Sequence, residues 1–462
     1  MHSLFLISDG LGYRNLALGG VLERVAAKGP VHVLHRLPDR AIARVSDLNS
    51  NVQWALAPIG SPSPIEAALQ IALKYAHMRA SGTRAHQWKV TRPVTGRWRG
   101  RAFKRAVRAI SSLATSPARI ERLNEWHLQR ATRSLIVERY RRLFSELQPD
   151  VIVCSNHVME TFVAPVLAAR SLQIPTVAFL ASWDSLTTNE RILAPFQHYL
   201  VWSSGMKQEL VSHYPSVDPE NVHVVGTPQF DLYGRQELLW SRREFFERIG
   251  ADPGRPLICY SGAAVRLNVD EPLHLRGLLE LIRSGRIGNR PQVVFRRNPW
   301  DWTRRHMDLQ RDYPELIAAE PCWEATPSAG WTDMVPLPDD VRFMANLVHH
   351  SNLNVNVAST MSIEFAVCDR PVVNIAFDVS QPPPFGIPLW EHFYQWEHYR
   401  PVWQLGAARV ARSMDALADH VNAYLNNPTL DRQERRRLVD LELGVASGRS
   451  AGRVAEALES IA

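Results

Sequence analysis

The residues best placed to do chemistry lie in a short polar turn, Ser359-Thr360-Met361-Ser362, with Glu364 close behind it. Apolar runs at Leu353–Val357 and Val372–Phe377 flank the turn, and their Val and Ile content predicts two buried strands. A strand that passes through hydroxyl residues into a helix presents unpaired backbone N–H groups and the positive end of the helix dipole, which favour an anion. A carboxylate one turn further on could accept hydrogen bonds from a sugar hydroxyl. The pattern predicts a nucleotide diphosphate site, with the phosphates on the turn and the ribose on Glu364.

The same segment has a simpler interpretation. Ser359 or Thr360 could cap the helix of an ordinary strand–helix–strand crossover, because hydroxyl side chains are common N-caps. Glu364 would then lie in solvent. The spacing alone favours this simpler interpretation, because hydroxyl caps are common and a short motif is weak evidence.

Two more groups of residues follow predicted strands in the second half of the chain. Phe295-Arg296-Arg297-Asn298-Pro299 ends one strand, and Tyr260-Ser261-Gly262-Ala263 ends the strand before it. Open parallel sheets bind ligands at the carboxyl ends of their strands, so the two guanidinium groups could clamp a diphosphate there. Gly262 would let the backbone approach a phosphate.

Polar residues follow strands of the first half as well. They form the segments Ser8-Asp9-Gly10-Leu11-Gly12, Cys154-Ser155-Asn156-His157 and Ser182-Trp183-Asp184-Ser185. Asp9 is a candidate general base, although it could also simply cap the helix that follows. His157 is a further catalytic candidate, with a satisfied structural histidine as the alternative.

Motifs of several enzyme classes do not occur in the sequence. It contains no H-E-x-x-H, G-x-x-x-x-G-K-S/T or D-x-D pattern. Gly448-Arg449-Ser450-Ala451-Gly452 fits G-x-S-x-G, but no Asp or His follows Ser450 to complete a hydrolase triad. Without an acid pair to hold a cation, arginines, lysines and helix dipoles would have to stabilise a leaving diphosphate. The sequence therefore predicts no metal and no cofactor other than a nucleotide-bearing substrate.

Composition bounds the class of protein. A chain of 462 residues with 45% hydrophobic and 21% charged residues fits a globular protein of two α/β domains. No apolar run approaches the ~18 residues of a membrane-spanning helix. The first apolar run ends at Asp9 and has no basic flank, which favours a first strand over a signal peptide. The four cysteines are far apart, so we expect reduced thiols in a cytoplasmic protein.

Positive charge is concentrated in residues 84–142, here called the basic insertion. This segment holds 16 Lys or Arg against three Glu, whereas the rest of the chain is net acidic. Trp88, Trp98, Phe103 and Trp126 are interleaved with the charges. Such a face suits an anionic membrane surface or a lipid-phosphate acceptor, and a set of solvated helices is the alternative. Nucleic acid is not predicted as a partner, because no DNA- or RNA-binding motif accompanies the charge.

Strand-like and helical patterns alternate along most of the chain, which predicts α/β layers with parallel sheets. The segments of a first sheet are Ser3–Ile7, Val31–His35, Val151–Cys154, Thr176–Leu180, Tyr199–Trp202 and Val222–Val225. Those of a second sheet are Leu257–Tyr260, Val293–Phe295, Leu353–Val357 and Val372–Ile375. Helices are expected at about 16–28, 65–79, 120–147, 414–426, 430–443 and 449–461. We expect domains at 1–235, with the basic insertion, and at 250–445, followed by a C-terminal helix at 446–462.

Taken together, these motifs resemble GT-B glycosyltransferases that build bacterial surface polysaccharides (capsule and lipopolysaccharide). The turn at Ser359–Ser362 is similar to their nucleotide-sugar site, where the turn holds phosphates and an acid like Glu364 binds the ribose. Ser182-Trp183-Asp184-Ser185-Leu186-Thr187 is similar to their Trp-Asp-x-Leu-Thr motif. Asn298 stands where related transferases carry the His of Arg-x-His-Pro, which keeps hydrogen bonding but removes a titratable group. The resemblance covers residues 150–462 well and the first 80 loosely, and it leaves the basic insertion unmatched.

The resemblance implies a GT-B fold, with two Rossmann-like domains facing across a cleft and the C-terminal helix packing back on the N-terminal domain. It implies a metal-independent transferase, cytoplasmic or peripheral on the inner face of the membrane, that moves a sugar from a nucleotide-sugar donor to a glycan or lipid-linked acceptor. Asp9 or Asp184 would be the general base if the enzyme inverts the anomeric configuration. The residues implied at the donor are Gly262, Arg296, Arg297, Asn298, Ser359, Thr360, Ser362 and Glu364.

Other functions stay open at this point. CDP-glycerol-type polyol-phosphate transferases share the architecture and would add a phosphodiester instead of a sugar. Sugar-nucleotide 2-epimerases share the fold, but the sequence shows no matching acid and histidine set. A non-catalytic, membrane-associated scaffold would bind no nucleotide and would not need Glu364.

Overall fold

The computed structural model describes residues 1–46, 49–93, 98–265, 267–325, 330, 333–444 and 448–462. The side chain of Trp98, one of the aromatic residues predicted for the basic insertion, and that of Arg99 lie outside the described part. The chain divides into two compact units. Unit 1 comprises Met1–Thr227 and Ser450–Ala462, and unit 2 comprises Pro228–Arg449.

Unit 1 is built on a parallel sheet. Its described strands are β1 (Ser3–Ile7), β2 (Val31–His35), β3 (Val52–Leu56), β4 (Val151–Cys154), β5 (Thr176–Phe179), β6 (His198–Val201) and β7 (Val222–Val224). They lie in the order β3-β2-β1-β4-β5-β6-β7, and each neighbouring pair is parallel. Both β1 and β4 are buried along their whole length, as is typical of parallel strands covered on both faces. From β1 the chain adds strands β2 and β3 on one side, and from β4 it adds strands on the other side, so a switch point lies between β1 and β4. Open parallel sheets bind ligands at the carboxyl ends of the strands at such a switch point.

The helices of unit 1 connect these strands and form the basic insertion. In chain order they are α1 (Gly10–Gly12), α2 (Val21–Ala26), α3 (Asp39–Ile42), α4 (Pro64–Ser81), α5 (Arg84–Thr91), α6 (Trp98–Ile110), α7 (Pro117–Ala131), α8 (Leu135–Leu147), α9 (Val163–Ser171), α10 (Ser185–Thr188) and α11 (Ser204–His213). The start of α4 is fixed by its sequence, because Ser63 and Glu66 form a capping box and Pro64 is the first residue. The basic insertion comprises α5 to α7 and the first part of α8.

Two predicted helices are interrupted. The helix expected at 16–28 is split at Gly19-Gly20 into a π-helical segment, Tyr13–Leu18, and α2, and Gly20 has a left-handed backbone. The helix expected at 120–147 is split into α7 and α8. At this break the Thr132 hydroxyl donates to the Leu128 carbonyl oxygen at 2.8 Å, and Ser134 is extended. Glycines and hydroxyl residues that bond to the backbone weaken a helix locally, which explains both interruptions.

Unit 2 is built on a second parallel sheet. Its described strands are β8 (Leu257–Ser261), β9 (Gln292–Arg296), β10 (Leu316–Ala319), β13 (Leu353–Asn356), β14 (Val372–Ile375) and β15 (Arg409–Ala411), and a separate antiparallel pair is β11 (Trp323–Glu324) with β12 (Val335–Pro336). The order in the sheet is β10-β9-β8-β13-β14-β15, and each neighbouring pair is parallel. Its switch point therefore lies between β8 and β13.

The helices of unit 2 cover this sheet. In chain order they are α12 (Pro228–Asp231), α13 (Arg242–Ile249), α14 (Glu271–Arg283), α15 (Met307–Asp312), α16 (Pro338–His350), α17 (Met361–Val367), α18 (Leu389–His392), α19 (Arg400–Gln404), α20 (Met414–Asn426) and α21 (Arg432–Leu443). The sequence predicted α20 and α21, and it predicted the short α17 between β13 and β14.

The last helix, α22 (Ser450–Ile461), belongs to unit 1 and packs against α2. Its Val454 and Leu458 are fully buried, and Lys28 pairs with Glu459 at 2.6 Å. The burial of apolar side chains holds the helix in place, since an exposed ion pair contributes little. The predicted fold class, two Rossmann-like domains with a C-terminal helix that packs back on the first, is confirmed.

Besides the short antiparallel pair β11 and β12, three strands of the parallel sheets were not predicted. β3 is a partly exposed edge strand with Gln and Trp among its five residues, and β10 and β15 are short and contain Ala. None of them is a run of buried β-branched residues, so the pattern that reveals central strands does not reveal them. Within the described ranges, no helix has both the length and the apolar character needed to cross a membrane.

Candidate active site

Asp9 lies directly after β1, at the switch point of unit 1. Its carboxylate accepts hydrogen bonds from Gly12 N at 2.8 Å and from Ser155 Oγ, just after β4, at 2.6 Å. A Cβ atom on Gly12 would lie 2.2 Å from the Ser155 Cβ, so only glycine lets α1 approach β4 this closely. Burial raises the pKa of Asp9, and the hydrogen bonds from Ser155 and Gly12 offset only part of that effect. Asp9 caps α1, as one of the two interpretations of the sequence requires.

His157 and Asp184 follow β4 and β5 on the same edge of the sheet. His157 is 2% exposed, and neither ring nitrogen has a hydrogen-bond partner among the described residues. Burial lowers the pKa of His157 to about 4. The Asp184 carboxylate and the nearby backbone of Ser185 act in the opposite direction, although the Ser185 backbone is not placed to form a hydrogen bond with the ring. The imidazole is therefore neutral at pH 7. The alternative to a catalytic role was a structural histidine whose ring nitrogens both have hydrogen-bond partners, and His157 does not match that description.

Asp184 is half-buried at the N-terminus of α10, where two hydroxyl groups hold its carboxylate. Oδ1 accepts a hydrogen bond from Ser182 Oγ at 2.5 Å, and Oδ2 accepts one from Thr188 Oγ1 at 2.9 Å. Lys89 of the basic insertion donates to the Thr188 carbonyl oxygen. The Trp-Asp-x-Leu-Thr segment thus joins the sheet edge of unit 1 to the basic insertion.

In unit 2, Gly262 and Asn298 follow β8 and β9 and lie against each other. Gly262 N donates to the Arg296 carbonyl oxygen at 2.8 Å, and a Cβ atom on Gly262 would lie 3.2 Å from Asn298 N. That spacing is tighter than ordinary packing, so a side chain at position 262 would push the two loops apart by a few tenths of an ångström. Asn298 Oδ1 accepts a hydrogen bond from Trp300 N at 2.9 Å and so fixes the turn after β9.

The two arginines of this turn already have acidic partners. Arg296 is 6% exposed and pairs with the buried Asp340 at 2.6 Å, although its Nη1 has no partner among the described residues. Arg297 pairs with the exposed Glu320 at 2.6 Å and donates to the Asp301 carbonyl oxygen. Separating a buried ion pair is costly, whereas an exposed pair exchanges partners at little cost. The sequence predicted that both guanidinium groups bind a diphosphate. In the structure, Arg297 and the Nη1 atom of Arg296 are the groups that could still do so.

Ser359 and Thr360 are partly exposed at the end of β13, where α17 begins. Ser359 Oγ accepts a hydrogen bond from Met361 N at 3.2 Å. Thr360 occupies the N-cap position without a side-chain capping bond, and α17 has only seven residues. Side-chain capping by these residues therefore accounts for one N–H group of the turn, that of Met361, which donates to Ser359.

Ser362 belongs to a buried polar network beneath the turn. Its hydroxyl lies 2.8 Å from Tyr399 Oη, 3.2 Å from Asn374 Nδ2 and 3.3 Å from Asn356 Nδ2. Asn356 Nδ2 in turn donates to Asn354 Oδ1 at 2.5 Å, so the network runs along β13. Buried polar groups of this kind are costly to leave unpaired. Ser362 thus holds the turn onto the sheet, and its predicted contact with a phosphate finds no support in this arrangement.

Glu364 lies one turn into α17 and is 4% exposed. Tyr233, which is 6% exposed, donates a hydrogen bond to Glu364 Oε2. Nothing in the sequence around Tyr233 marked it as a site residue. The alternative that places Glu364 in solvent is wrong, because the side chain is buried. A carboxylate this buried needs hydrogen-bond donors around it.

A charged cluster that the sequence did not reveal lies beside Ala263. Glu271, Asp301 and His306 each bring one potential ligand atom within 4.8 Å of the others. Arg305 pairs with Glu271 and with Asp301, each at 2.8 Å. Burial lowers the pKa of His306, but its hydrogen bonds to Asp301 and Glu271 outweigh burial and raise that pKa overall. Arg305 and His306 neutralise the two carboxylates, and the cluster supports the loops after β8 and β9, where Ala263 N donates to Glu271 at 2.5 Å.

The predicted site residues lie on two sheet edges. Asp9, His157 and Asp184 lie at the carboxyl edge of unit 1. The residues at the carboxyl edge of unit 2 are Gly262, Arg296, Arg297, Asn298, Ser359, Thr360, Ser362 and Glu364. Within unit 2 the structure brings Gly262 against Asn298, and it adds Tyr233 beside Glu364.

No protein-family model and no curated protein matches the sequence. Solved structures match the fold of the whole chain. A putative UDP-N-acetylglucosamine 2-epimerase from Listeria monocytogenes aligns with 100% of this chain and 96% of its own, with a TM-score of 0.54 and 12% identity. The UDP-GlcNAc 2-epimerase of Neisseria meningitidis, solved bound to UDP-GlcNAc, aligns over 100% of both chains with a TM-score of 0.54 and 13% identity. A glycosyltransferase from Rickettsia africae aligns with 100% of this chain and 98% of its own, with a TM-score of 0.52 and 8% identity. At these identities the likeness concerns the fold, which is of the GT-B type.

Proposed function

We propose that this protein is a glycosyltransferase that moves a sugar from a nucleotide-sugar donor to a glycan or lipid-linked acceptor in surface-polysaccharide synthesis. Unit 2 would bind the nucleotide, and unit 1 would bind the acceptor. The observation that carries the proposal is the buried Glu364 at the switch point of unit 2. Glu364 comes shortly after Ser359 and Thr360 in the chain, and Tyr233 holds its carboxylate. A carboxylate fixed there can accept hydrogen bonds from a ribose while the turn faces the phosphates.

The related folds support a nucleotide sugar as the donor. The Neisseria meningitidis epimerase was solved with UDP-GlcNAc bound, and the Rickettsia africae protein is a glycosyltransferase. Both share the fold of the whole chain, in which each parallel sheet has a switch point between two of its inner strands.

In the proposed reaction, an acceptor hydroxyl oxygen attacks the anomeric carbon of the donor sugar while a base takes the hydroxyl proton. The bond from that carbon to the diphosphate breaks, and the nucleoside diphosphate leaves with the bonding electrons. Asp9, Asp184 or His157 would be the base: His157 is neutral at pH 7, and hydrogen bonds hold both carboxylates in place. Arg297 and the turn at Ser359–Thr360 would stabilise the leaving group without a metal.

A nucleotide screen followed by product analysis tests the proposal. Thermal unfolding with UDP, GDP, CDP, CMP and TDP identifies the base that is bound, because a ligand of the folded state raises Tm by mass action. Mass spectrometry should then show an acceptor heavier by one sugar residue and a free nucleoside diphosphate. If none of these nucleotides raises Tm, the proposal fails. An acceptor that gains a phosphodiester would identify a polyol-phosphate transferase instead.

A sugar-nucleotide 2-epimerase is the second candidate, because two of the structures that share the whole fold are UDP-GlcNAc 2-epimerases. An epimerase would convert its nucleotide sugar into an isomer of the same mass with no acceptor present. A transferase would leave the donor sugar unchanged until an acceptor is added. Proton NMR of UDP-GlcNAc incubated with the protein alone separates the two functions.

The acceptor side of the proposal includes an anionic membrane surface, contacted through the basic insertion. Of its aromatic residues, Phe103 and Trp126 are about half exposed, and Trp88 is half-buried with the Arg92 guanidinium 4.2 Å from the ring centre. Ile110 adds exposed apolar surface at the end of α6. Exposed aromatic and apolar groups among cations suit the interface between lipid headgroups and acyl chains.

A further inference from the structure

A pocket in unit 1 lies away from the sheet edge, between the end of α4 and the basic insertion. Its volume is about 360 Å³, and four of its seven lining residues are arginines: Arg79, Arg92, Arg105 and Arg108. This volume falls within the range of about 300–1,000 Å³ that is typical of small-molecule sites. We call it the arginine pocket.

The positive charge of the arginine pocket has no acidic counterpart nearby in the sequence. Residues 84–120 contain no Asp or Glu. None of the four arginines forms an ion pair with a described residue. Burial and the charge of Arg108 both lower the pKa of Arg79, which indicates that the guanidinium groups repel one another. An anion in the pocket would relieve this repulsion.

Two of the arginines, Arg79 and Arg108, are held in place by side-chain hydrogen bonds that leave donors unused. Arg79 Nη1 donates to the Arg108 carbonyl oxygen and to Ser111 Oγ, each at 3.0 Å, and Arg108 Nη1 donates to the Arg92 carbonyl oxygen at 2.8 Å. Arg105 donates to no described residue. Each guanidinium has five N–H donors, so most of the donors in the pocket remain for a ligand. Arg79 and Arg108 are thus fixed before a ligand enters the pocket.

The helix beside the arginine pocket is attached to the loop that carries Asp184. In α5, Thr83 Oγ1, at the N-cap, donates to the Thr187 carbonyl oxygen at 2.8 Å, and His86 Nε2 lies 2.6 Å from the Asn189 carbonyl oxygen. These bonds hold the basic insertion against the carboxyl edge of the first sheet. A ligand in the pocket would therefore lie on the part of unit 1 that carries a candidate catalytic loop.

We propose that the arginine pocket binds a phosphate-bearing ligand through a phosphate or diphosphate group, which Arg92 and Arg105 contact and Arg79 and Arg108 brace. Guanidinium groups match phosphate oxygens through paired N–H donors, and this geometry favours arginine over lysine for such sites. The pocket would be a second anion site, separate from the nucleotide site proposed for unit 2, and it does not depend on the proposed function. The phosphate belongs either to a soluble compound or to an anionic lipid headgroup.

Two double variants test the pocket against its surroundings. Arg92→Gln with Arg105→Gln removes two exposed arginines of the pocket, and Arg101→Gln with Lys104→Gln removes the same charge from exposed positions of α6 outside it. Calorimetric titration with inorganic pyrophosphate tests the soluble source. Co-sedimentation with phosphatidylcholine vesicles that contain phosphatidic acid tests the lipid source. Both variants leave unit 2 unchanged, so pyrophosphate bound there contributes equally to the two measurements.

We expect the pocket variant to weaken binding about tenfold more than the control variant does in at least one of the two experiments, because charged hydrogen bonds are lost only in the former. A loss confined to pyrophosphate assigns a soluble phosphate ligand, and a loss confined to vesicles assigns a lipid headgroup. Equal behaviour of the two variants in both experiments overturns the proposal. The nucleotide screen is a separate measurement on the natural protein, so a failed proposal here is distinguishable from a failed proposed function.

Discussion

At the scale of single residues, the case for a nucleotide site depends most on Glu364. Its carboxylate is buried and is held by Tyr233, which only a structure could reveal. We predict that Glu364→Ala weakens binding of the nucleotide found in the screen by about 1–3 kcal/mol, since a charged hydrogen bond is lost. Calorimetric titration of the variant and the natural protein measures this difference.

The control for this prediction is Glu247→Ala, which removes an exposed carboxylate from α13 of the same unit. Glu364→Gln serves as a second variant, because it keeps the size of the side chain and an oxygen for Tyr233. Affinity that is unchanged in both Glu364 variants would remove this residue from the site.

His157 gives a prediction about stability and pH. The pKa of the buried imidazole is lowered to about 4, below the ordinary value of 6.5, so the unfolded chain binds the proton more readily than the folded protein. As pH falls from 6.5 toward 4, protonation therefore favours unfolding, and stability rises again as pH increases. The expected contribution is about 2 kcal/mol lost between pH 7 and pH 5, which His157→Gln should abolish. Urea unfolding at the two pH values measures it, and identical pH dependence in the variant and the natural protein would contradict the lowered pKa.

Single residues also show where the sequence was informative. Asp9, His157 and Asp184 were identified because each follows a strand, and parallel strands end at one edge. The ion pairs of Arg296 and Arg297 were not predictable, because Asp340 and Glu320 come from distant parts of the chain. Sequence spacing places a side chain at an edge, but it does not say which groups already occupy that side chain.

At the scale of elements, the sequence predicted the buried central strands and the helices at 414–426 and 430–443. Continuous runs of Val, Ile and Leu mark strands that are covered on both faces, and β3, β10 and β15 lack such runs. The break between α7 and α8 was missed because no Gly or Pro lies between residues 118 and 148 to mark it. Local hydrogen bonding at Thr132 decides that break, and its outcome depends on the packing around it.

The loops after β8 and β9 bear on the question of metal dependence. Glu271, Asp301 and His306 meet there with suitable ligand atoms, but Arg305 lies between the carboxylates and supplies the positive charge that a cation would supply. We therefore predict that EDTA leaves sugar transfer within about twofold of its original rate, because a charged side chain already neutralises both acids. A colorimetric assay of nucleoside diphosphate release measures the rate.

The opposite result would be informative about these same loops. If EDTA abolished transfer and Mn²⁺ or Mg²⁺ restored it, the account of charge stabilisation by Arg297 and the turn would be wrong. Asp301→Asn would then be the variant to examine, with the exposed Asp308→Asn of α15 as its control.

At the scale of the whole molecule, two tandem sheets of Rossmann type were predictable, because strand and helix patterns alternate twice with a turn-rich segment between them. The basic insertion was visible only as a charge imbalance. Its helices lie between β3 and β4 in the sequence. The arginine pocket appears only when α4, α5 and α6 are packed together. Function in such a segment depends on how charges converge in space, which composition does not determine.

The imbalance of charge between the basic insertion and the rest of the chain leads to the last prediction. We expect the protein to bind anionic vesicles and not neutral ones, since each basic residue near an anionic surface contributes roughly 1 kcal/mol. The attraction should weaken as salt increases from about 0.05 M to 0.5 M, because the screening length shortens toward a few ångström. Co-sedimentation with vesicles of phosphatidylcholine, with and without phosphatidylserine, measures binding across this series. Equal binding to both kinds of vesicle, or no binding at low salt, would leave the insertion as a set of solvated helices and point to a soluble acceptor.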